Sequence, residues 1–339
     1  MRTVIVDVMG GDNAPLEMLK GAIMAKNELF GELDCILVGD EKTIERVAGE
    51  NDISLEGVRI AHAKGVIDMT DDPMSIVRGK SDCSMAVGLR MLKGGEGDAF
   101  VSAGNTGALF TGASLIVRRV KGVKRAAIAA LLPMQTPVLL LDSGANVRAT
   151  PEYLEQFALM GSAYMRRVIG LESPRVGLLN NGAEENKGND LCIKTYSLLE
   201  KNKSINFVGN IEGTCALRNV CDVIVTDGFT GNIFLKAMEG FGNVLLKSLK
   251  DTLYKNFKTK IAALMIKDEL GDMKKSFDAG ELGGAPILGV AKPVIKAHGS
   301  SDARAFKNAI KQAAEYAVAD VNNEIELALA DAAQSKDTE

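Results

Sequence analysis

Short apolar runs alternate with longer amphipathic stretches along most of the chain. The apolar runs have the length of buried strands and lie at 3–8, 34–39, 58–63, 98–103, 127–132, 137–142, 175–180, 205–210, 222–227 and 293–298. The amphipathic stretches have a helical period and lie at 73–93, 151–170, 189–201, 230–253 and 301–327. This alternation predicts an α/β fold with a mostly parallel sheet flanked by helices.

The domain organisation follows from the same pattern. The runs at 127–132 and 137–142 are separated only by PMQT, which predicts a local antiparallel hairpin. We expect a single α/β domain over 1–329 and a flexible tail at 330–339, where the chain reads ADAAQSKDTE. The segment 252–280 is expected to protrude as a helical membrane or dimer element.

Composition narrows the classes of function. The chain has 339 residues, 46% of them hydrophobic, which is enough for a large core. A net charge of −4 and the absence of tryptophan disfavour nucleic acid as a partner. The five cysteines form no C-x-x-C motif, which predicts reduced thiols in the cytoplasm. The only two histidines, His62 and His298, are too far apart for the ligand spacing of a zinc site. We expect no metal and no cofactor.

Six of the predicted strands are followed by glycine together with Asn, Ser, Thr or Asp. In open α/β sheets, ligands bind beyond the carboxyl ends of the strands. We therefore predict one composite pocket that is rich in backbone N–H donors and suited to phosphate or carboxylate. The six turns are MGGDNAP (9–15), GNTGA (104–108), SGANV (143–147), NGAEENKG (181–188), GFTGN (228–232) and GSSDA (299–303).

Two of these turns, at 104–108 and 228–232, lead directly into predicted helices. Free N–H groups and the positive helix end would favour an anion there. The alternative is a plain helix N-cap by Thr106 or Thr230.

Other polar side chains also have two interpretations. His298 could be a base or a phosphate ligand, or only a structural hydrogen-bonding group. Asp7 could orient a donor or cap a helix. Lys187 could meet a phosphate or lie on a solvated face, and with Glu184 it could form a helical pair.

Common nucleotide and hydrolase motifs are missing from the sequence. No G-x-G-x-x-G follows a strand, and no G-x-S-x-G is present. The RGKS at 78–81 resembles the end of a phosphate-binding loop, but Met74 replaces its first glycine.

Eight motifs, in this order, resemble the phosphate acyltransferases of bacterial phospholipid synthesis, the PlsX family. The resemblance extends from Val4 to about Ala313. The motifs are VDVMGGDNAP, DDPMSIVRGKSDCSM, DAFVSAGNTGAL, LLLDSGANV, RVGLLNNGAEENKGND, FVGNIEG, VIVTDGFTGNIFLK and AHGSSDARAFKNAI.

The resemblance implies a function and partners. Members transfer a fatty acyl group from acyl carrier protein to inorganic phosphate. A membrane acyltransferase uses the acyl phosphate to acylate glycerol 3-phosphate. The family fold resembles isocitrate and isopropylmalate dehydrogenases and phosphotransacetylases. Members are homodimers in the cytoplasm, associated peripherally with the inner face of the cell membrane.

The chemistry of such a transfer fits a pocket without a nucleophilic residue. A thiol leaves readily and phosphate is itself the nucleophile, so the remaining task is to hold phosphate and stabilise an oxyanion. We expect His298, Lys187 and Asn232 to be catalytic. The expected phosphate and substrate residues are Asp7, Gly10, Gly11, Asp12, Ser102, Asn105, Thr106, Gly107, Asn146, Asn180, Glu184, Asp227, Thr230, Gly231 and Ser300.

Two further segments are candidate docking surfaces. The segment 117–125 contains no acidic residue and is either an acyl carrier protein site or a solvated loop. Its cations are Arg118, Arg119, Lys121, Lys124 and Arg125. The segment 252–267 has a basic amphipathic pattern, typical of a membrane surface or of a core or dimer helix. Its expected membrane residues are Leu253, Phe257, Ile261 and Leu264.

Two other functions stay open on sequence alone. One is a dehydrogenase of the isocitrate type, although no nucleotide pocket or acidic metal ligands can be assigned. The other is a non-enzymatic membrane-docking scaffold, which would leave the polar turns unexplained.

Overall fold

The computed structural model describes residues 1–134, 136–276 and 279–337, and within them eleven strands form one sheet. The strands are β1 (Arg2–Asp7), β2 (Leu33–Gly39), β3 (Arg59–His62), β4 (Ala99–Ser102), β5 (Ala127–Leu132), β6 (Val138–Leu141), β7 (Arg175–Asn180), β8 (Asn206–Glu212), β9 (Val223–Val225), β10 (Ala285–Leu288) and β11 (Val294–Lys296).

The sheet consists of two parallel blocks joined by antiparallel strands. Its order is β3-β2-β1-β4-β11-β10-β5-β6-β9-β7-β8. The first block, β3 to β11, and the second block, β6 to β8, are each internally parallel. Strand β10 is antiparallel to β11 and to β5, and β5 and β6 form the predicted hairpin. Since three successive antiparallel pairings separate β11 from β6, the two blocks run in opposite directions.

Helices cover both faces of the sheet. They are α1 (Leu16–Glu28), α2 (Glu41–Glu50), α3 (Ser75–Arg78), α4 (Ser84–Gly94), α5 (Thr106–Gly112), α6 (Pro151–Tyr164), α7 (Asp190–Lys201), α8 (Gly228–Leu253), α9 (Phe257–Met265), α10 (Lys267–Ser276), α11 (Ala303–Val318) and α12 (Val321–Asp337). Single π-helical turns, Ala113–Val117 and Met165–Ile169, extend α5 and α6.

The core lies on both sides of the sheet because successive strand residues point to opposite faces. In β1, Val4 and Val6 belong to the larger apolar cluster, which includes residues of α1, α6 and α11. Ile5 belongs to a second cluster, together with Phe100 and residues of α4. Strands buried on both faces explain why the sequence shows continuous apolar runs instead of alternation.

The ten predicted strands are confirmed, but the sequence did not reveal β10. This strand is short, begins at Ala285 and contains a proline, so its sequence carries a weak strand signal. The predicted helix at 73–93 is two helices, because α3 ends at Arg78 with Gly79 as its C-cap, and Cys83 caps a new helix. The helix at 301–327 is likewise divided, at Asp320, which has a positive φ.

The predicted tail and the predicted protruding segment are each only partly covered by the described residues. The expected flexible tail at 330–339 is helical through Asp337 as part of α12, and residues 338–339 lie outside the described chain. The expected protruding segment at 252–280 consists of the last turn of α8, then α9 and α10, and residues 277–278 are outside the described chain.

The close packing of α4 on β4 generates a stability prediction. A Cβ atom at Gly88 would lie 2.2 Å from the Phe100 ring. We expect Gly88→Ala to lower the free energy of unfolding by about 1–3 kcal/mol, because the ring or helix must move. Gly94→Ala is the matched control, since no atom lies within 4 Å of its Cβ position. Urea unfolding measures both, and equal stability of the two variants would contradict this packing.

Candidate active site

The turns after β1, β4 and β11 meet and form what we call the first turn cluster, residues 9–13, 103–107 and 298–301. The Asp12 N–H donates to the Gly299 carbonyl at 2.8 Å, and Asn13 Nδ2 donates to two carbonyls of the third turn. A Cβ atom at Gly10 would lie 2.8 Å from the Gly104 backbone. Glycine at position 10 therefore lets the first two turns touch.

A buried carboxylate lies beneath these turns. Asp7, 1% exposed, accepts hydrogen bonds from Ser102 Oγ at 2.7 Å and from the Met9 N–H at 3.1 Å. The Gly104 N–H in turn donates to Ser102 Oγ. Burial raises the pKa of Asp7, and the hydrogen bonds from Ser102 and Ser84 partly offset this increase. Asp7 and Ser102 thus support the turns from below.

Asn105 and Gly107 hold a neighbouring loop. Asn105, rather than Thr106, is the N-cap of α5, since its side chain accepts from the Ala108 N–H. Its Nδ2 donates to the carbonyls of Asp68 and Met69. A Cβ atom at Gly107 would lie 2.7 Å from Pro73. The Asn105 amide is therefore engaged within the protein, whereas Thr106 is exposed.

The second turn cluster comprises residues 142–146 after β6 and 227–232 after β9. Its centre is Asp142, fully buried, which accepts from the N–H groups of Ile128, Gly144, Ala145 and Asn146. Burial raises the pKa of Asp142, against the effect of these hydrogen bonds. Asn146 Nδ2 donates to Asp142 and to the Ala126 carbonyl, so both its amide hydrogens are used internally.

The first turn of α8 packs directly on this cluster. Asp227, rather than Thr230, is the N-cap, and it accepts from the Thr230 N–H and hydroxyl. A Cβ atom at Gly231 would lie 2.0 Å from the Asp142 carbonyl oxygen, so only glycine allows this approach. Asn232 lies against Gly144 and is exposed; its amide has no hydrogen-bond partner among the described residues.

The turn after β7 carries Lys187. It is not helical, so the possible helical pair with Glu184 does not form; the Lys187 N–H donates to the Glu184 carbonyl instead. Asn180 Nδ2 donates to the Lys187 carbonyl at 3.0 Å. Glu184 also lines an open cavity of about 610 Å³. The ammonium group of Lys187 is exposed and makes no ion pair with any described residue.

His298 is exposed at the edge of the first turn cluster. Its Nδ1 lies 2.9 Å from Ser300 Oγ and 3.3 Å from the Ser300 nitrogen. These contacts orient the ring and leave Nε2 without a partner in the described part of the chain. His298 therefore combines a fixed ring with a free nitrogen.

Lys296 is a candidate site residue that the sequence did not reveal. Only 8% exposed at the end of β11, it donates to the carbonyls of Ala103 and Ala297. Burial lowers its pKa to about 8, while Asp12 and Asp7 act to raise it. A lysine inside the apolar run PVIKAH was the signal that could have found it.

Five of the six predicted turns form these two clusters, and the sixth, at 181–188, follows β7, the neighbour of β9 in the sheet. Because the two parallel blocks run in opposite directions, the carboxyl ends of their strands would lie at opposite edges of a flat sheet. Sheets twist by about 20–25° per strand, which re-orients distant strands. Lys236, one turn after Asn232 on α8, lies close enough to oppose the positive charge of Lys296, which links the clusters electrostatically.

The candidate docking residues are mostly exposed. All five cations at 118–125 are exposed and form no ion pair with described residues, although Arg119 donates to the Lys124 carbonyl and Arg125 stacks over Tyr153. Phe257, Ile261 and Leu264 are exposed on α9. Leu253 is half-buried at the end of α8, and Asn256 caps a separate helix, so the expected shared face that includes Leu253 is wrong.

The described residues contain no group of three or more His, Cys, Asp or Glu placed to hold a metal ion. Nor does any helix in this part of the chain have the length and apolarity needed to cross a membrane.

Known proteins are similar to this chain along nearly its whole length. The family model described as "Fatty acid synthesis protein" matches residues 2–324. A phosphate acyltransferase of Acetivibrio thermocellus is 46% identical over 315 residues, covering 93% of this chain and 92% of the relative.

Solved structures share the fold. A phosphotransacetylase from Streptococcus pyogenes superposes with a TM-score of 0.64 at 18% identity and covers 94% of both chains. A chain proposed to be a 4-hydroxythreonine-4-phosphate dehydrogenase from Salmonella typhimurium gives a TM-score of 0.53 at 12% identity, over 93% of this chain and 99% of that one. The predicted phosphotransacetylase-related, dehydrogenase-like architecture is confirmed. By its sequence the chain belongs to the fatty acid synthesis protein family and, within it, to the phosphate acyltransferases, and it is an acyltransferase.

Proposed function

We propose that the chain transfers a fatty acyl group from acyl carrier protein to inorganic phosphate and supplies the acyl phosphate for phospholipid synthesis. The observation that carries the proposal is the pattern of free donors. Lys187, Asn232 and the Nε2 of His298 are exposed and without partners among the described residues, whereas the amides of Asn105, Asn146 and Asn180 are used to build the turns.

The reaction needs no covalent intermediate on the protein. A phosphate oxygen attacks the thioester carbonyl carbon, a C–O bond forms, and the C–S bond breaks. The thiolate leaves and takes a proton from solvent. Because the nucleophile and the leaving group are already competent at neutral pH, the protein has to orient them and stabilise the oxyanion.

The free donors suit these two tasks. Lys187 and Asn232 offer an ammonium and an amide to developing negative charge. Nε2 of His298 can donate to, or accept from, a phosphate oxygen, since Ser300 occupies the other ring nitrogen. Asp7, Ser102 and Asp142 are too deeply buried to meet substrate, and we assign them the support of the turns.

Phosphate-dependent release of thiol from acyl carrier protein thioester tests this function directly. We expect wild type to release thiol only with phosphate, and Lys187→Ala and Asn232→Ala to lower kcat by about 10²–10³, the typical cost of a lost oxyanion donor. His298→Ala should also slow the reaction. Lys201→Ala, exposed at the end of α7, is the matched control and should keep wild-type rates. Full activity of both Lys187→Ala and His298→Ala would refute the assigned roles.

Acyl carrier protein, proposed as an acidic partner, would dock on the loop 118–125. Arg118, Lys121 and Lys124 are the most available of its cations, because their side chains are exposed and the guanidinium groups of Arg119 and Arg125 already have contacts. Opposite charges across an interface mainly speed association, so the effect should depend on salt.

Charge reversal distinguishes docking from a solvated loop. We expect Lys121→Glu combined with Lys124→Glu to raise the KM for acyl carrier protein thioester about fivefold at low salt, with kcat unchanged. Lys42→Glu combined with Lys203→Glu makes the same net change at exposed sites elsewhere. If both double variants keep the wild-type KM, the partner docks on another surface.

Peripheral membrane contact and dimer formation are proposed for α8 and α9. On α9, Phe257 is 78% exposed and Leu264 is 73% exposed, beside the exposed Lys258 and Lys260. A basic amphipathic helix of this kind binds the anionic inner face of the cell membrane.

The exposed apolar residues Phe241, Val244 and Leu245 of α8 favour a second copy of the chain as a partner. The membrane glycerol-3-phosphate acyltransferase would then receive the product at this surface.

Flotation with vesicles that contain an anionic lipid tests the membrane contact. We expect Phe257→Glu to reduce flotation severalfold, because moving a charge into the apolar layer is unfavourable in free energy. Phe30→Glu is the control, since Phe30 is 86% exposed but lies outside α9. Equal flotation of wild type and folded Phe257→Glu would rule out this contact, and light scattering shows whether the substitution acts through the dimer instead.

A further inference from the structure

Lys296 joins two of the three turns of the first turn cluster. It ends β11 and pairs with Ser102 of β4 on one side and with Ala285 of β10 on the other. Its Nζ donates to the Ala103 carbonyl at 3.1 Å and to the Ala297 carbonyl. Each carbonyl belongs to the first residue after a strand, so a single ammonium group fixes the points where both turns begin.

Burying the charge of this ammonium group is unfavourable in free energy. Lys296 is 8% exposed, and no carboxylate forms a salt bridge with it in the described part of the chain. Burial is the main cause of its lowered pKa, about 8. A well-packed apolar side chain of similar size is often at least as stable as a buried charge, so stability alone does not account for a lysine here.

The charged groups around Lys296 oppose one another. Asp12 and Asp7 favour its protonation, and Lys236 on α8 opposes it. Neither β4 nor β10 has a titratable side chain. The cations of α11 are paired away from the site, Arg304 with Glu281 and both Lys307 and Lys311 with Glu28.

We propose that Lys296 is a positioning residue of the phosphate site, whose buried ammonium group orders the turns at 103 and 297 and supplies the positive charge that allows the first turn cluster to bind phosphate dianion. The inference rests on the proposed function, because it assigns phosphate to this cluster. Lys296 acts by holding the turn carbonyls and by electrostatic attraction at a distance. The backbone of the turns and His298 contact the anion directly.

The pH dependence follows from the charge. Below about pH 8 the ammonium form dominates and binding is strong. As the pH rises past that value the proton is lost, and the Asp12 carboxylate then repels phosphate without compensation. Phosphate is already mostly dianionic at pH 7.5, so weaker binding between pH 7.5 and 9.5 reports on the protein.

Calorimetric titration with inorganic phosphate tests the proposal on the full chain. At pH 7.5 we expect Lys296→Met to weaken phosphate binding by about tenfold or more, the effect of one nearby charge of low exposure. Wild type should lose about fivefold in affinity between pH 7.5 and 9.5, while Lys296→Met should show no such change. Lys296→Arg keeps its charge and should bind at pH 9.5 as it does at pH 7.5. Lys201→Met is the control and should behave like wild type.

Thermal unfolding of the same variants separates this role from a merely structural one. Because the lysine pKa is lowered from 10.5 in the unfolded chain to about 8 in the folded one, burial of this group destabilises the fold increasingly as the pH falls from 10.5, and the full penalty applies below about pH 8. Lys296→Met should therefore unfold at the same or a higher temperature than wild type at pH 7.5. Wild-type phosphate affinity in Lys296→Met, or weak binding that comes with a lower unfolding temperature, would overturn the proposal.

Phosphate binding and thiol release together show whether the role of Lys296 or the proposed function fails. If phosphate binding follows Lys296 as described but no thiol is released from acyl carrier protein thioester, the positioning role stands and the choice of acyl donor is wrong. If thiol release depends on phosphate while binding is indifferent to Lys296, the proposed function stands and the inference about Lys296 is wrong.

Discussion

A buried carboxylate beneath each turn cluster is the constraint on which the rest of the site depends. Asp7 and Asp142 are 1% and 0% exposed. Asp7 accepts from the Met9 N–H of its own turn and from Ser102 Oγ of β4, and Asp142 accepts from the N–H groups of Gly144, Ala145 and Asn146 in its own turn. A buried carboxylate is tolerated only when it is well hydrogen-bonded. Each turn therefore has one conformation that satisfies its carboxylate, and this fixes the backbone at the carboxyl ends of β1 and β6.

The same requirement explains the distribution of polar residues in the turns. Most side chains expected to contact substrate, including Ser102, Asn105 and Asn146, satisfy buried groups or hold neighbouring loops. Exposed groups without a hydrogen-bond partner among the described residues include Lys187, Asn232 and one nitrogen of His298. A site that transfers an acyl group between two small reactive groups needs positioned donors more than a nucleophile, and a rigid set of turns with a few free donors provides this.

The family membership and the geometry complement each other. Similarity to phosphate acyltransferases establishes the class of enzyme, whereas the shared fold with phosphotransacetylases, at 18% identity, establishes only the architecture. The structure adds the physical roles of individual residues, such as the separation of supporting carboxylates from exposed donors. It also shows a buried lysine, Lys296, whose ammonium group donates to the first residues of two turns.

The sequence by itself determined the α/β class, ten strands, the hairpin and the polar turns, because buried strands and turn residues have local signatures. It also determined the family, through motifs that extend over most of the chain. Only the tertiary structure decided that the parallel blocks run in opposite directions, that Asn105 and Asp227 are the helix caps, that Leu253 and Phe257 lie on different helices, and that Lys296 is buried between two turns. The direction of the blocks and the burial of Lys296 depend on strand pairing and on packing between residues distant in sequence, such as Lys296 with Ala103, and no local pattern encodes such contacts. The caps and the break after Leu253 are local, but each turn contains two residues able to cap a helix, and the structure shows which one is used.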